Sequence, residues 1–250
     1  MQDKDEIAIR KSKFLVNIDS SIQELLKTHI RTANPKPIPH QYIGTAIDSF
    51  ICLLCSAANS IDPKCNNNFG LYRNIVYEDF NNWLSVIQII HRTFFNIIHS
   101  CLEVSLKEYL LEKNIAPESS LIEKYQKIIN EATFKENRQK KKISNYFKRK
   151  KPTLEDYINS TLLYSNISDE RKTLWRKFFK AFNIIRNKGS HSDATLSGEE
   201  VKILQDGGFS ALVKEGTLQI NCLYYSQTAN FILDFLDEVT PPNSKENEII

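Results

Sequence analysis

Apolar residues recur at intervals of three and four along most of this chain, the spacing of helices that bury one face. Residues near 4 to 31 read as one or two helices, with Ile22, Leu25, Leu26 and Ile30 on one face. The run Asn34-Pro35-Lys36-Pro37-Ile38-Pro39 then breaks the pattern, because proline lacks the N–H that a helix interior uses. A second helix is expected over about 41 to 60, and Asn66 to Gly70 looks like a loop. A third, long helix is expected from Glu78 to about Lys113, its stripe made of Trp83, Ile87, Ile90, Phe94, Ile97, Ile98 and Leu102. After the break at Pro117-Glu118-Ser119-Ser120, Leu121, Tyr125, Ile128 and Ile129 start a fourth helix.

Thr153-Leu154-Glu155-Asp156 fits the start of a short helix, since a threonine oxygen can accept from the first-turn amides. Ser168 or Asp169 opens the next helix, with apolar residues at 174, 175, 178, 179, 182 and 185. Ser197-Gly198-Glu199-Glu200 begins another short one, ended by Gly207-Gly208. Leu212 to Cys222 alternates around Gly216 and suggests a small β-hairpin before a closing helix from about Tyr224 to Val239. The expectation is an all-α bundle with one small hairpin. It divides into an N-terminal helical segment at 1–70, which can pack into the same bundle, a helical core at 71–240, and a disordered tail at 241–250 that starts with Pro241-Pro242.

Composition adds bounds. With 41% hydrophobic and 25% charged residues the chain can bury a core, and seven glycines with eight prolines disfavour a fold made of many tight turns. No stretch is apolar and long enough to span a bilayer; the best candidate, Ile43 to Ala58, carries Asp48 and is too short. The charged start Asp3-Lys4-Asp5-Glu6 and an odd cysteine count point to a cytoplasmic protein. Cys52 and Cys55 form a C-x2-C with no second ligand pair, so they read as buried thiols rather than a zinc site, and neither metal nor cofactor is expected.

Net charge is only +3, but positive charge is concentrated from Lys135 to Lys151, including Lys140, Lys141, Lys142, Lys148, Arg149 and Lys150, with Tyr146 and Phe147 interleaved. Cations that follow phosphates beside rings that stack on bases suit a single RNA strand. A solvated helix or loop face is the other reading. His91 and His99 share a broad face of the long helix, about 80° apart. With Glu103 they can be read as metal ligands or substrate contacts, though histidines that simply line the bundle account for them more easily. His29 and His40 flank the proline-rich break and carry no signal.

The strongest chemical signal is Arg186-Asn187-Lys188-Gly189-Ser190-His191, at the end of the amphipathic helix. Arg186 offers a permanently charged planar fork of donors that suits phosphate. His191 has an imidazole that titrates near neutrality and can take a proton from a ribose 2′-hydroxyl. Asn187 can donate and accept, and so can steady either partner, while Lys188 adds an RNA contact. The same residues also fit a plain helix C-terminus, where cations complement the macrodipole and glycine ends the helix.

Read from Phe182 as apolar-Asn-apolar-apolar-Arg-Asn-x-x-x-His, this run resembles the R-x4-6-H signature of the HEPN superfamily. The resemblance rests on about ten residues. It implies a helical bundle of HEPN type, frequent homodimerisation that pairs two motifs, and metal-independent endoribonuclease activity in catalytic members. It would make Arg186 and His191 catalytic and Asn187 supporting. It also implies a role in toxin–antitoxin or phage defence, with an antitoxin or another defence-system protein as partner. Members paired with a nucleotidyltransferase antitoxin often carry tyrosine two residues after the histidine; here that residue is Asp193, which counts against such a partner. The alternative is a non-catalytic helical module that binds a protein partner or RNA.

Overall fold

A computed structural model describes residues 4–32, 38–61, 80–115, 152–189, 195–220 and 224–240. The described residues form seven α-helices: α1 (Lys4–Ile30), α2 (Ile38–Ile61), α3 (Phe80–Glu112), α4 (Leu154–Tyr164), α5 (Asp169–Gly189), α6 (Gly198–Asp206) and α7 (Tyr224–Val239). Strands β1 (Val213–Lys214) and β2 (Thr217–Leu218) pair antiparallel, with Val213 opposite Leu218. Their turn places Glu215 at φ 52° and Gly216 at φ 71°. Two consecutive positive φ angles are what a two-residue hairpin turn with the native strand twist requires. The chain is thus an all-α bundle with one small hairpin, as its periodicity predicts. The expected fourth helix from Leu121, the loop at 66–70 and the tail at 241–250 lie outside the described residues.

Local sequence sets the helix starts. Thr153 accepts from the Asp156 amide while the Asp156 carboxylate accepts from the Thr153 amide at 2.8 Å, a reciprocal capping box at the start of α4. Ser197 and Glu200 repeat the device on α6. At α5 the Ser168 hydroxyl accepts from the Arg171 amide, and Asp169 and Glu170 in the first turn complement the helix dipole.

One continuous core joins the helices. Phe50 of α2, Phe94 of α3 and Tyr225 of α7 meet with ring centroids 4.6 to 4.9 Å apart. Phe179 of α5 lies edge-on to Phe235 of α7 at 4.7 Å. Such ring pairs contribute about 0.5–1.5 kcal/mol each beyond the area they bury. Tyr225 also hydrogen-bonds the buried His91 of α3, whose pKa burial pushes down to about 4.

A polar clamp fastens the N-terminal hairpin to α7. Arg31 donates to Asn230 Oδ1 at 2.8 Å, Asp234 at 2.7 Å and Asp237 at 3.0 Å, and buried His40 meets the other Asp237 oxygen at 2.8 Å. At the neighbouring position of α7, Arg171 and the Trp175 indole share the Glu238 carboxylate.

Two expectations change. On α1 the inward face is Ile18, Ser21, Leu25 and Thr28, whereas Leu26 and Ile30 point outward. Small hydroxyl residues can take buried positions because their side chains bond the carbonyl four residues back, as Ser21 does to Asn17 and Thr28 to Glu24. Cys52 and Cys55 are exposed free thiols rather than buried ones. Their helix turns its Ile43, Ile47, Phe50 and Leu54 side to the core, and helical phase sets Cys52 about 180° and Cys55 about 120° from that line.

Candidate functional site

Helix α5 holds the site because its two faces differ. Trp175, Phe178, Phe179, Phe182 and Ile185 are buried and anchor it against α3 and α7. Arg176, Lys180, Asn183 and Asn187, spaced four, three and four, form a polar ridge along another side. Arg186 and Lys188 occupy its last turn, where cations complement the carbonyl end of the helix.

Arg186 is half-buried, and its Nη1 donates to Asn187 Oδ1 at 2.9 Å. Asn187 thus steadies the guanidinium, one of the two roles its chemistry allows. Lys188 turns away from that pair; its ammonium donates to the Thr195 carbonyl at 2.9 Å and lies 3.3 Å from Glu200 Oε1. The Ser197 amide and the Lys188 charge hold the Glu200 carboxyl below its usual range. Leu196 donates to Gly216 O at 2.8 Å, and Thr195 bridges to Thr217, so the hairpin fixes the segment that follows. Lys188 therefore serves as an anchor between α5, Thr195 and α6. His191, as part of 190–194, lies outside the described residues, as do Lys140, Lys141, Lys142, Lys148, Arg149 and Lys150.

His99, which the sequence offers either as a metal or substrate contact or as a bundle-lining histidine, lies near enough to Arg186 to feel its charge. His99 comes from α3, which packs on α5; its ring lies parallel to Phe182 at 6.1 Å and its side chain bonds Asn183. Burial pushes its pKa down to about 4; the Arg186 charge acts in the same direction, and the Asn183 bond opposes both. Glu103 Oε2 is 3.9 Å from His99 Nδ1, too far for a hydrogen bond. His99 is therefore neutral at physiological pH, mostly buried and within the field of a fixed cation.

Asn183 also lines a groove of about 410 Å³ between α4 and α5. Arg176 and Lys180 supply its cations, Glu155 its anion, and Asn159 accepts from Arg176 Nε at 3.4 Å. The groove and the Arg186–His99 pair thus share one side chain. Together they offer donors for phosphate, a neutral imidazole and amides. Nothing in the separate lysine-rich segment foreshadowed Arg176 and Lys180; the signal was their i, i+4 spacing with Asn183 on the polar side of α5.

Among the described residues no group of three or more histidine, cysteine or acidic side chains converges on a point that could hold a metal ion. No described helix is long and apolar enough to cross a membrane. No family model matches the chain, and no curated protein or solved structure is significantly similar to it.

Proposed function

We propose that the chain is a HEPN-like, metal-independent endoribonuclease, acting in the cytoplasm in a toxin–antitoxin or phage-defence setting. The observation that carries this reading is the end of α5, where Arg186, steadied by Asn187, sits beside neutral His99 and Asn183, which lines the basic groove. An RNA backbone would run along Arg176 and Lys180, whose charge is matched to phosphates.

In the proposed reaction His191 takes the proton of a ribose 2′-hydroxyl. The 2′ oxygen attacks phosphorus, the bond from phosphorus to the 5′ oxygen breaks, and the leaving 5′ oxygen takes the proton back from His191, which returns to its neutral form. Arg186 balances the charge that develops on the non-bridging oxygens. The products are a 2′,3′-cyclic phosphate and a 5′-hydroxyl. A homodimer would set two such motifs side by side, and an antitoxin or other defence-system protein would restrain them.

The test is toxicity in cells together with cleavage of a mixed RNA pool in EDTA, for the wild type, Arg186→Ala and His191→Ala. The reading expects cleavage and toxicity from the wild type alone. Equal cleavage by all three overturns it. Cleavage by none favours the second reading, a helical module that binds a protein partner or RNA, for which the exposed Leu163 and Tyr164 at the end of α4 offer a contact surface.

A further inference from the structure

We propose that a second cavity, between α5, the end of α6 and α7, binds one uncharged, planar heterobicyclic molecule of purine size. It encloses about 260 Å³ and is lined by Leu174, Trp175, Phe178, Phe209, Thr228 and Phe231. A cavity of roughly 150 Å³ already takes a benzene ring, so two fused rings fit this one. Its lining belongs to the stretch of α5 eight to twelve residues before Arg186, about 12–18 Å along the helix. It is therefore separate from the Arg186 end and independent of the ribonuclease reading.

The shape of the walls selects a flat ligand. Phe178 lies nearly parallel to Phe231, at 5.5 Å and 19°, and tilted by 30° to Phe209 at 5.4 Å, while Trp175 meets Phe178 edge-on. Leu174 and Phe231, which line the cavity, remain 44% and 39% exposed overall, so apolar surface is left for a ring to cover in part.

The polar groups select its chemistry. Thr228 is 1% exposed, yet its hydroxyl has no hydrogen-bond partner among the described residues. Just past the end of the same helix the Thr240 hydroxyl donates to the carbonyl four residues back at 2.8 Å, a bond that Thr228 does not make. A buried hydroxyl without a partner is costly, and a ring nitrogen would supply one. The exposed Gln205, Asp206 and Gln227 also line the cavity and can accept from a ring N–H or an exocyclic amine. No cation is among the described lining residues, which disfavours carboxylate or phosphate ligands.

The experiment uses the full chain and saturation-transfer NMR with adenine, and with benzoate as the anionic comparison. A ligand of about ten non-hydrogen atoms is expected to bind with a dissociation constant on the order of 1 mM or tighter. Phe231→Ala should weaken adenine about tenfold or more by removing a stacking face. Thr228→Val should weaken adenine while melting at the same or a higher temperature, since it removes the unsatisfied hydroxyl without changing shape. A merely structural threonine would lower the melting temperature on substitution and leave adenine unaffected. The proposal is overturned by absence of adenine binding to the folded wild type at about 5 mM, well above the expected constant. Benzoate binding as well as adenine, or wild-type affinity in Thr228→Val, also overturns it.

Discussion

Acidification should destabilise this bundle well before its carboxylates titrate. His91 is held near pKa 4 by burial, against an unfolded value near 6.5. Above pH 6.5 both states are neutral and the histidine has no effect on stability. Between 6.5 and 4 the unfolded chain takes up a proton that the folded chain refuses, so stability falls with decreasing pH. Integrated from pH 7.5 to 4, the loss is about 3 kcal/mol for His91. His99 has the same direction and a similar value, but its partial exposure calls for a smaller share. Glu200 and Glu238, whose pKa values are lowered, lose their contributions only below the usual carboxylate range, at more acid pH. Against a total stability of roughly 5–15 kcal/mol, the histidine loss is large. Urea unfolding followed by circular dichroism at pH 7.5, 6.5, 5.5 and 4.5 measures it, and the midpoint should fall by roughly 1 M across that range. His91→Gln, which keeps a hydrogen-bonding group toward Tyr225 but does not titrate, should remove more than half of the slope. A flat midpoint between pH 6.5 and 4.5, or an unchanged slope in His91→Gln, would mean that His91 is not held neutral by burial.

Three further outcomes are expected. A methyl group at Gly207 would stand 2.4 Å from the Ala181 Cβ and 2.9 Å from the Lys177 carbonyl oxygen, so Gly207→Ala should cost about 1–3 kcal/mol in urea unfolding; an unchanged midpoint would contradict the close approach of α6 to α5. Arg31→Met severs the links to Asn230, Asp234 and Asp237 and should lower stability by about 1–2 kcal/mol, with the deficit shrinking in 1 M salt because the side chain is partly exposed; a deficit insensitive to salt would speak against the clamp. Arg186→Met removes a positive charge from beside His99 and should raise the His99 midpoint seen by NMR titration of its ring protons; no upward movement would place the guanidinium elsewhere.

What the sequence makes legible is local chemistry. The capping box of Thr153 and Asp156 and the turn at Gly216 involve neighbours a few residues apart, so their residue types suffice to locate them. Phase is harder to read than hydrophobicity. Counting apolar residues turns Leu26 and Ile30 inward and buries Cys52 and Cys55, whereas packing against α2 and α7 selects Ser21 and Thr28, and the core side of α2 leaves both thiols outside. Long-range pairs leave no local trace. His40 looks like a linker residue until α7 brings Asp237 to it, and His99 looks like any bundle histidine until α3 and α5 pack. Spacing to His191 singles out Arg186 and Asn187 as candidates, whereas the basic groove lined by Asn183 leaves no such local trace, because its other wall comes from α4.

The role proposed for Arg186 is support of phosphodiester cleavage by a neighbouring 2′-hydroxyl. Its most direct test is cleavage of an end-labelled RNA in EDTA, with the new termini identified and a matching substrate carrying a 2′-deoxy sugar at the cut site. The expected result is 2′,3′-cyclic phosphate and 5′-hydroxyl ends, no cut at the deoxy position, and a rate about 100-fold or more lower for Arg186→Ala. An uncut RNA, a cut at the deoxy position, or an Arg186→Ala rate equal to the wild type would contradict it.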